Sequence, residues 1–417
     1  MKRPLITLCL LCSAFAATAQ DNTFILNAQL RTRGEYNNGA IKPRSEGQEA
    51  ATFVNDRTRL STFWKRGDLE MKMSVQHTGV WGQDDIKERN GRMAMNEAWA
   101  RMRFGESFFA QIGRQQLSYD DERLLGGLDW NVAGNWHDAL RLGYESPEHK
   151  VHFIGAFNQT AENDRGTFYN GPMPYKTMVA LWYHYQSPFF STLYPFGASV
   201  LIMNVGREVG TTGMGRTNFM QTIGTHLTYG PAPFAPIKAA ASFYYQRGKN
   251  NAGKDVSAWM ASAKLSYTVT PEISVNGGYD IESGNDGSKT VKAFDPLFGT
   301  HHKFFGAMDY FTGQMLSGIQ DIHVGASTSA VKKVSLQFDY HYFLTARKVL
   351  NFDKGLGHEL DLQFNTRIAK DVSLSGGYSM MLGTETMDVI KGGSHKSWQD
   401  WAWLSLNINP CIFSTRW

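Results

Sequence analysis

The sequence predicts an all-β protein, a transmembrane antiparallel β-barrel of about eighteen strands with short periplasmic turns and long extracellular loops. Three observations carry this. Residues 334–382 alternate apolar and polar side chains with a period of two, the signature of strands. The connections between such segments alternate in length. Beyond the N-terminal leader no apolar run approaches the roughly 18 residues of a membrane helix, yet 13% of residues are aromatic and 41 are glycine. A soluble sandwich or propeller buries one sheet face and would not line both sides of long strands in this way.

The leader comes first. Lys2 and Arg3 precede the apolar run Leu5 to Ala16, and Ala17-Thr18-Ala19 precedes Gln20. This predicts a signal peptide over 1–19 and a barrel over 20–417. Leu11 stands before Cys12, where a lipoprotein signal requires a small residue. Only Cys411 lies beyond the leader, which excludes an internal disulfide and a cysteine metal cluster. Removing Lys2 and Arg3 from 42 basic residues leaves 40 against 38 acidic ones, a mature charge of +2 and no bulk signal for nucleic acid.

Strands are expected near 24–35, 53–65, 69–80, 95–105, 107–115, 138–146, 149–159, 175–186, 194–206, 216–230, 236–247, 256–269, 271–283, 317–329, 332–345, 356–369, 371–383 and 398–410. Each is long enough to cross a bilayer at the usual tilt. Even-to-odd joins are mostly tight, as at Lys65-Arg66-Gly67-Asp68, Gly105-Glu106-Ser107 and Ala369-Lys370-Asp371, where proline, glycine and charge favour turns. Two such joins, Ser187 to Pro195 and Gly230 to Pro236, are longer and proline-rich. Long polar loops fall on the other set: 36–52, 81–94, 116–137, 160–174, 207–215, 248–255, 284–316, 346–355 and 384–397. An even count leaves both termini periplasmic, and no N-terminal plug is expected. Pro410 interrupts the last strand.

Arginines recur on the polar faces of the early strands. Arg31 with Arg33, Arg57 with Arg59, and Arg101 with Arg103 are spaced by two, so each pair shares a face. Arg141 joins them. These arginines are expected to face the lumen, because an arginine on the lipid face near midplane costs roughly 2–4 kcal/mol. Later strands offer Asp280, Glu282, Asp339, Glu359 and Asp361 at inward positions, which predicts a basic wall opposite an acidic one. Clustered guanidinium groups attract and orient carboxylates. The plainer expectation is that they pair with lumenal Glu70, Glu97 and Glu145.

No G-x-S-x-G accompanies the histidines, and neither His149 with His152 nor His301 with His302 has a third ligand at zinc spacing. No enzyme activity, metal or cofactor is expected. The loop between residues 116 and 137 is the most distinctive run. Asp120, Asp121, Glu122 and Arg123 pack opposite charges together, and Asp129-Trp130 follows.

The segments GRQ, YDDERLLG, LDW and HDALRLGYE within 113–145, and AFDPLFGTHHKFFGAMDYFTG over 293–313 with its Phe294, Gly299, Thr300, His301, Gly306 and Asp309, resemble the alginate export family of outer-membrane proteins. VNDRTRLSTF and NEAWARMRFG extend the likeness over most of the chain. The resemblance implies an eighteen-stranded barrel of the Gram-negative outer membrane whose arginine-lined lumen passes an anionic polysaccharide, with outer-membrane lipid around it and periplasmic export partners. On the residues alone two other readings stand: a porin for small anions, and a structural or adhesive barrel with a blocked lumen. The loop residues Asp120, Asp121, Glu122, Arg123, Asp129, Trp130, His301 and Asp309 are the expected gate.

Overall fold

A computed structural model describes residues 22–87, 92–188, 195–230 and 236–417. The proposed signal peptide, residues 88–91 and the centres of the two longer even-to-odd joins lie outside them. The strands are β1 (Thr23–Asn38), β2 (Ala51–Arg66), β3 (Leu69–Val80), β4 (Met93–Phe104), β5 (Phe108–Gln115), β6 (His137–Glu145), β7 (His149–Phe157), β8 (Thr177–Gln186), β9 (Phe196–Val209), β10 (Arg216–Tyr229), β11 (Ile237–Lys249), β12 (Asp255–Thr270), β13 (Ile273–Glu282), β14 (Ile319–Thr328), β15 (Val334–Leu344), β16 (Gly355–Ala369), β17 (Val372–Gly383), β18 (Gln399–Ile408) and β19 (Cys411–Arg416). Pro410 has no N–H to give a ladder, and it splits the last stave into β18 and β19. Both halves pair antiparallel with β1, so eighteen staves close into one cylinder.

From β1 to β18 every consecutive pair is antiparallel, and β1 takes β2 on its other side. The ends of the described chain meet at the seam, where Asn22 and Trp417 exchange backbone hydrogen bonds of 3.0 and 3.2 Å. Among the described residues closure leaves no unpaired edge, the condition for a sheet surrounded by hydrocarbon. The short turns follow the even strands as expected, and Gly105 sits in one with φ 66°, where a residue without Cβ is unstrained.

The outer face is apolar and exposed, as at Leu30, Leu60, Met73, Leu181, Ile202, Phe243, Ile322, Leu362 and Leu404. The inner face differs from the wet lumen that the pattern suggested. On β7 to β12 it carries Ile154, Met178, Ala180, Leu201, Met203, Val205, Met220, Ala258 and Met260, all buried. Two long loops fold inward to cover it. Leu117, Tyr119, Leu124 and Leu125 of the loop 116–136, with Phe294 and Phe298 of the loop 283–318, pack on that wall. Phe305, Met308, Tyr310, Phe311 and Met315 pack instead on Phe343, Leu356, Met381 and Trp401. Complete burial of such side chains contributes about 1.5–3 kcal/mol each, so these loops are core rather than flaps. A short helix not foreseen in the sequence, α1 (Glu385–Lys391), starts at Thr384, whose side chain accepts from the Met387 N–H.

Leu404, 52% exposed at the middle of β18, faces hydrocarbon. Leu404→Arg is expected to cost about 2–4 kcal/mol of folding free energy in lipid vesicles, read by denaturant titration. A loss below about 1 kcal/mol would remove that face from the apolar belt.

Candidate functional site

The early arginines point inward because their strand neighbours Leu30, Leu60 and Met102 point out. Register then divides them into two groups. Glu70, Arg101, Gln111 and Arg141 lie directly opposite one another across β3 to β6. In that row Arg101 Nε donates to Gln111 Oε1 at 2.8 Å, and Arg141 Nη2 donates to the same oxygen at 2.7 Å. Arg103 Nε donates to Glu70 Oε1 at 3.0 Å. This group has the plain pairing that the sequence offered. Glu97 and Glu145 serve Lys72 and His152 instead.

The second group is Arg31, Arg33, Arg57 and Arg59 on β1 and β2. Arg31 and Arg57 are direct cross-strand partners, and like charges so placed repel. Glu35 pairs with Arg33 at 2.8 Å and Gln29 accepts from Arg57 Nε at 3.1 Å, and the segment 129–133 of the inward loop supplies further acceptors. Arg31 Nη1 donates to the Asp129 carbonyl at 2.7 Å, Arg33 Nη1 to the Trp130 carbonyl at 3.0 Å, and Arg57 Nη1 to the Val132 carbonyl at 3.4 Å. Gln76 Nε2 holds the Ala133 carbonyl at 2.9 Å. The Asp129 carboxylate bridges Arg57 Nη2 at 2.9 Å and Arg31 Nη1 at 3.4 Å, yet its side chain is 65% exposed. Arg57 is 1% exposed. Arg59 donates through Nε and Nη2 to Gln76 Oε1. Beside this strap lies a cavity of about 400 Å³ lined by Gln29, Arg57, Arg59, Ser61, Lys72 and Asp129.

The remaining gate candidates fix the strap's parent loop. The Asp120 carboxylate accepts from Trp182 Nε1 at 2.9 Å, Ser199 Oγ at 2.6 Å and Tyr244 Oη at 3.3 Å. Arg123 ties Asp121 at 2.9 Å to Asp280 of β13 at 2.5 Å. The two inward loops are joined by a parallel bridge, Leu125 to Phe298, and by Thr300 N–H donating to the Glu122 carbonyl at 2.8 Å. Gly299 permits that approach, since a Cβ there would fall 2.2 Å from the Arg123 carbonyl oxygen. Glu122 also accepts from Lys303 and Ser118. Trp130 lies under Arg33, whose guanidinium carbon is 4.0 Å from the ring centre, and stacks on His302 at 4.2 Å. His302 in turn bonds Asp309 at 2.8 Å. His301, named from the sequence, instead contacts the Pro296 carbonyl at 3.2 Å.

The acidic wall needs correction. Asp280, Glu282, Glu359 and Asp361 are inward, but all are buried under the 283–318 loop rather than facing an open lumen. Glu359 accepts from the Met308 N–H at 2.8 Å, and Asp361 from the Ala307 N–H at 3.3 Å. Sequence reasoning also missed Gln29, Gln76 and Gln111, the neutral acceptors of the arginines. Their inward alternation with apolar neighbours was the available signal.

The alginate export family model matches residues 23–351. No curated protein matches the chain by sequence. Among solved structures, OccAB1 of Acinetobacter baumannii is similar at 12% identity and TM-score 0.64, covering 93% of this chain and 97% of that one. OccK11 (OpdR) of Pseudomonas aeruginosa gives 11%, 0.62, 94% and 96%, and OccAB4 of A. baumannii gives 11%, 0.61, 96% and 99%. At these identities the likeness speaks for the eighteen-stranded fold.

Two outcomes follow from the anchoring. Asp120→Ala strands the Trp182, Ser199 and Tyr244 donors, each at a cost of about 1–3 kcal/mol where buried. Thermal unfolding should fall sharply, and an unchanged midpoint would count against the clasp. Burial favours the neutral Glu122 acid, but Lys303 and Ser118 overcome it and hold the carboxyl below its usual 4.5. Its contribution is therefore complete above pH 4.5 and is lost as pH falls through the lowered value. With Lys303 half exposed the pair is worth about 0.2–1 kcal/mol. Single-channel current noise should rise on acidification, and Glu122→Gln should show that noise already at pH 7.

Proposed function

This chain belongs to the alginate export family and is an outer-membrane barrel channel, and from that premise we propose that it passes carboxylate-bearing solutes along the Arg31, Arg33, Arg57 and Arg59 wall. The substrate read here is an anionic polysaccharide of the alginate type, or its fragments. The observation that carries this reading is the strap 129–133. Its carbonyl oxygens and the Asp129 carboxylate occupy the donors of Arg31, Arg33 and Arg57, the contacts that a uronate would make. A guanidinium presents paired N–H groups that match a carboxylate's two oxygens.

Energetics separate what moves from what stays. The Asp129 carboxylate is mostly exposed although Arg57 and Arg31 are not, so water and solutes reach the acidic side of both ion pairs. The parent loop is held by buried Leu124 and Leu125 and by the Asp120 clasp. An incoming carboxylate can therefore exchange with Asp129 while the loop body stays docked. Weak contacts at successive arginines orient the solute and still let it leave. Transport is passive on this reading, and Arg59 with Lys72 offers the next positive site across the cavity.

A porin for small anions is the second reading, favoured by one observation: two long loops pack against the inner wall, and beside the arginines they leave a cavity of about 400 Å³.

Planar-bilayer recording tests the proposal. The current is expected to be anion-selective and blocked by uronate oligomers. Arg57→Ala with Arg59→Ala should shift the reversal potential toward zero, and Asp129→Asn should raise anion current. A cation-selective current, or a reversal potential indifferent to the double arginine change, would sink it. Block by small carboxylates but not by oligomers would select the second reading.

A further inference from the structure

The inner wall of β13 to β16 buries more carboxyl groups than it has cationic side chains to pair with them. Asp280, Glu282, Asp321, Glu359 and Asp361 are each no more than 4% exposed. Arg123 reaches Asp280, and His323 and His341 stand among the rest. Backbone N–H groups of Ala307 and Met308 satisfy lone pairs on Asp361 and Glu359 but bring no charge. Buried ionised carboxylates without a counter-charge are costly.

Register gathers three of these groups. Asp321 and His323 are two residues apart on β14 and share its inward face, and His341 on β15 is the direct cross-strand partner of His323. One ligand atom from each of Asp321, His323 and His341 lies within 4.8 Å of the other two. His341 Nδ1 is 2.8 Å from Asp321 Oδ2. His323 Nδ1 points toward the same oxygen from 3.5 Å and toward Asp280 Oδ2 from 3.7 Å, and it makes no hydrogen bond although buried. The far nitrogen of His341, Nε2, faces Asp361 Oδ2 at 3.7 Å. An imidazole set between a ligand position and a carboxylate is the usual support of a metal-bound histidine. Gly278 leaves room for His323, since a Cβ there would lie 2.4 Å from Nε2.

We propose that Asp321, His323 and His341 bind one divalent ion of the zinc type, with Asp361 orienting His341. Two imidazoles and a carboxylate suit zinc better than calcium or magnesium. Ligand atoms on a tetrahedral zinc stand roughly 3.3 Å apart for bonds of about 2.0–2.1 Å, so a modest turn of the rings closes the site. The ion supplies the missing positive charge and clips β14 to β15 under the loop that Glu359 and Asp361 hold.

The full chain, folded in detergent and stripped with a chelator, is titrated with Co²⁺ and then Zn²⁺. One equivalent of Co²⁺ should give the intense visible bands of a tetrahedral site, Zn²⁺ should erase them, and Zn²⁺ should raise the unfolding temperature. His323→Gln and His341→Gln should abolish the bands. His358→Gln, on the outer face and bonded to Tyr340, should keep them. Asp361→Asn should weaken binding by about 10–100-fold. Absence of saturable one-to-one Co²⁺ binding by the unaltered chain overturns the proposal, as does binding that survives His323→Gln in a barrel with its folded gel mobility. Should both histidine variants fail to fold, an unchanged affinity in Asp361→Asn overturns it.

Discussion

Hydrocarbon around the sheet admits no unpaired backbone donor or acceptor, and everything else in this molecule follows from satisfying that condition. Closure of β1 onto β18 and β19 completes the ladder and, in doing so, fixes the register of every stave. Register decides which side chains meet inside. It sets Arg31 against Arg57 and His323 against His341, a pair of like charges and a pair of imidazoles, each brought together across one hairpin.

How much of this was legible in the chain varies with the range of the interaction. The strand Leu69–Val80 and the others lay within a few residues of where period-two alternation put them, because facing lipid on one side imposes a strictly local rule. The turns were legible for the same reason. What escaped was the direction of the long loops. Asp120 is clasped by Trp182, Ser199 and Tyr244 from β8, β9 and β11, and no spacing in the loop announces those partners. A clue did exist in β8 and β9, where Met178, Ala180, Met203 and Val205 make the inner face apolar as well as the outer. A water-filled lumen does not want such a wall, so something apolar had to cover it. Leu124, Leu125 and Phe298 do.

The same covering explains why the acids on late strands do not form a second charged wall. Glu359 lies 0% exposed under Met308, whose N–H it accepts. A lumenal carboxylate in sequence became a loop anchor in space. His302 rather than His301 carries the aromatic stack for a related reason: the three-residue turn His301–Lys303 rotates adjacent side chains apart, and only one can lie on Trp130.

Charge is thus compensated unevenly around the barrel, and the unevenness locates what the channel can do. Arg101, Arg103 and Arg141 find Glu70 and Gln111 on neighbouring strands, so they are spent on the wall. Arg33 pairs with the buried Glu35 of its own strand at 2.8 Å, whereas Arg31 and Arg57 find theirs mainly on a loop segment, through carbonyl dipoles and one exposed carboxylate. Dipoles soften the repulsion between neighbouring guanidinium groups without neutralising them. A mobile anion with two oxygens does the job better than a carbonyl, since hydrogen bonds between ionised partners are roughly twice as strong as neutral ones. The proposed passage of carboxylates rests on that difference, since the strap's carbonyl dipoles leave Arg31 and Arg57 without a buried counter-charge.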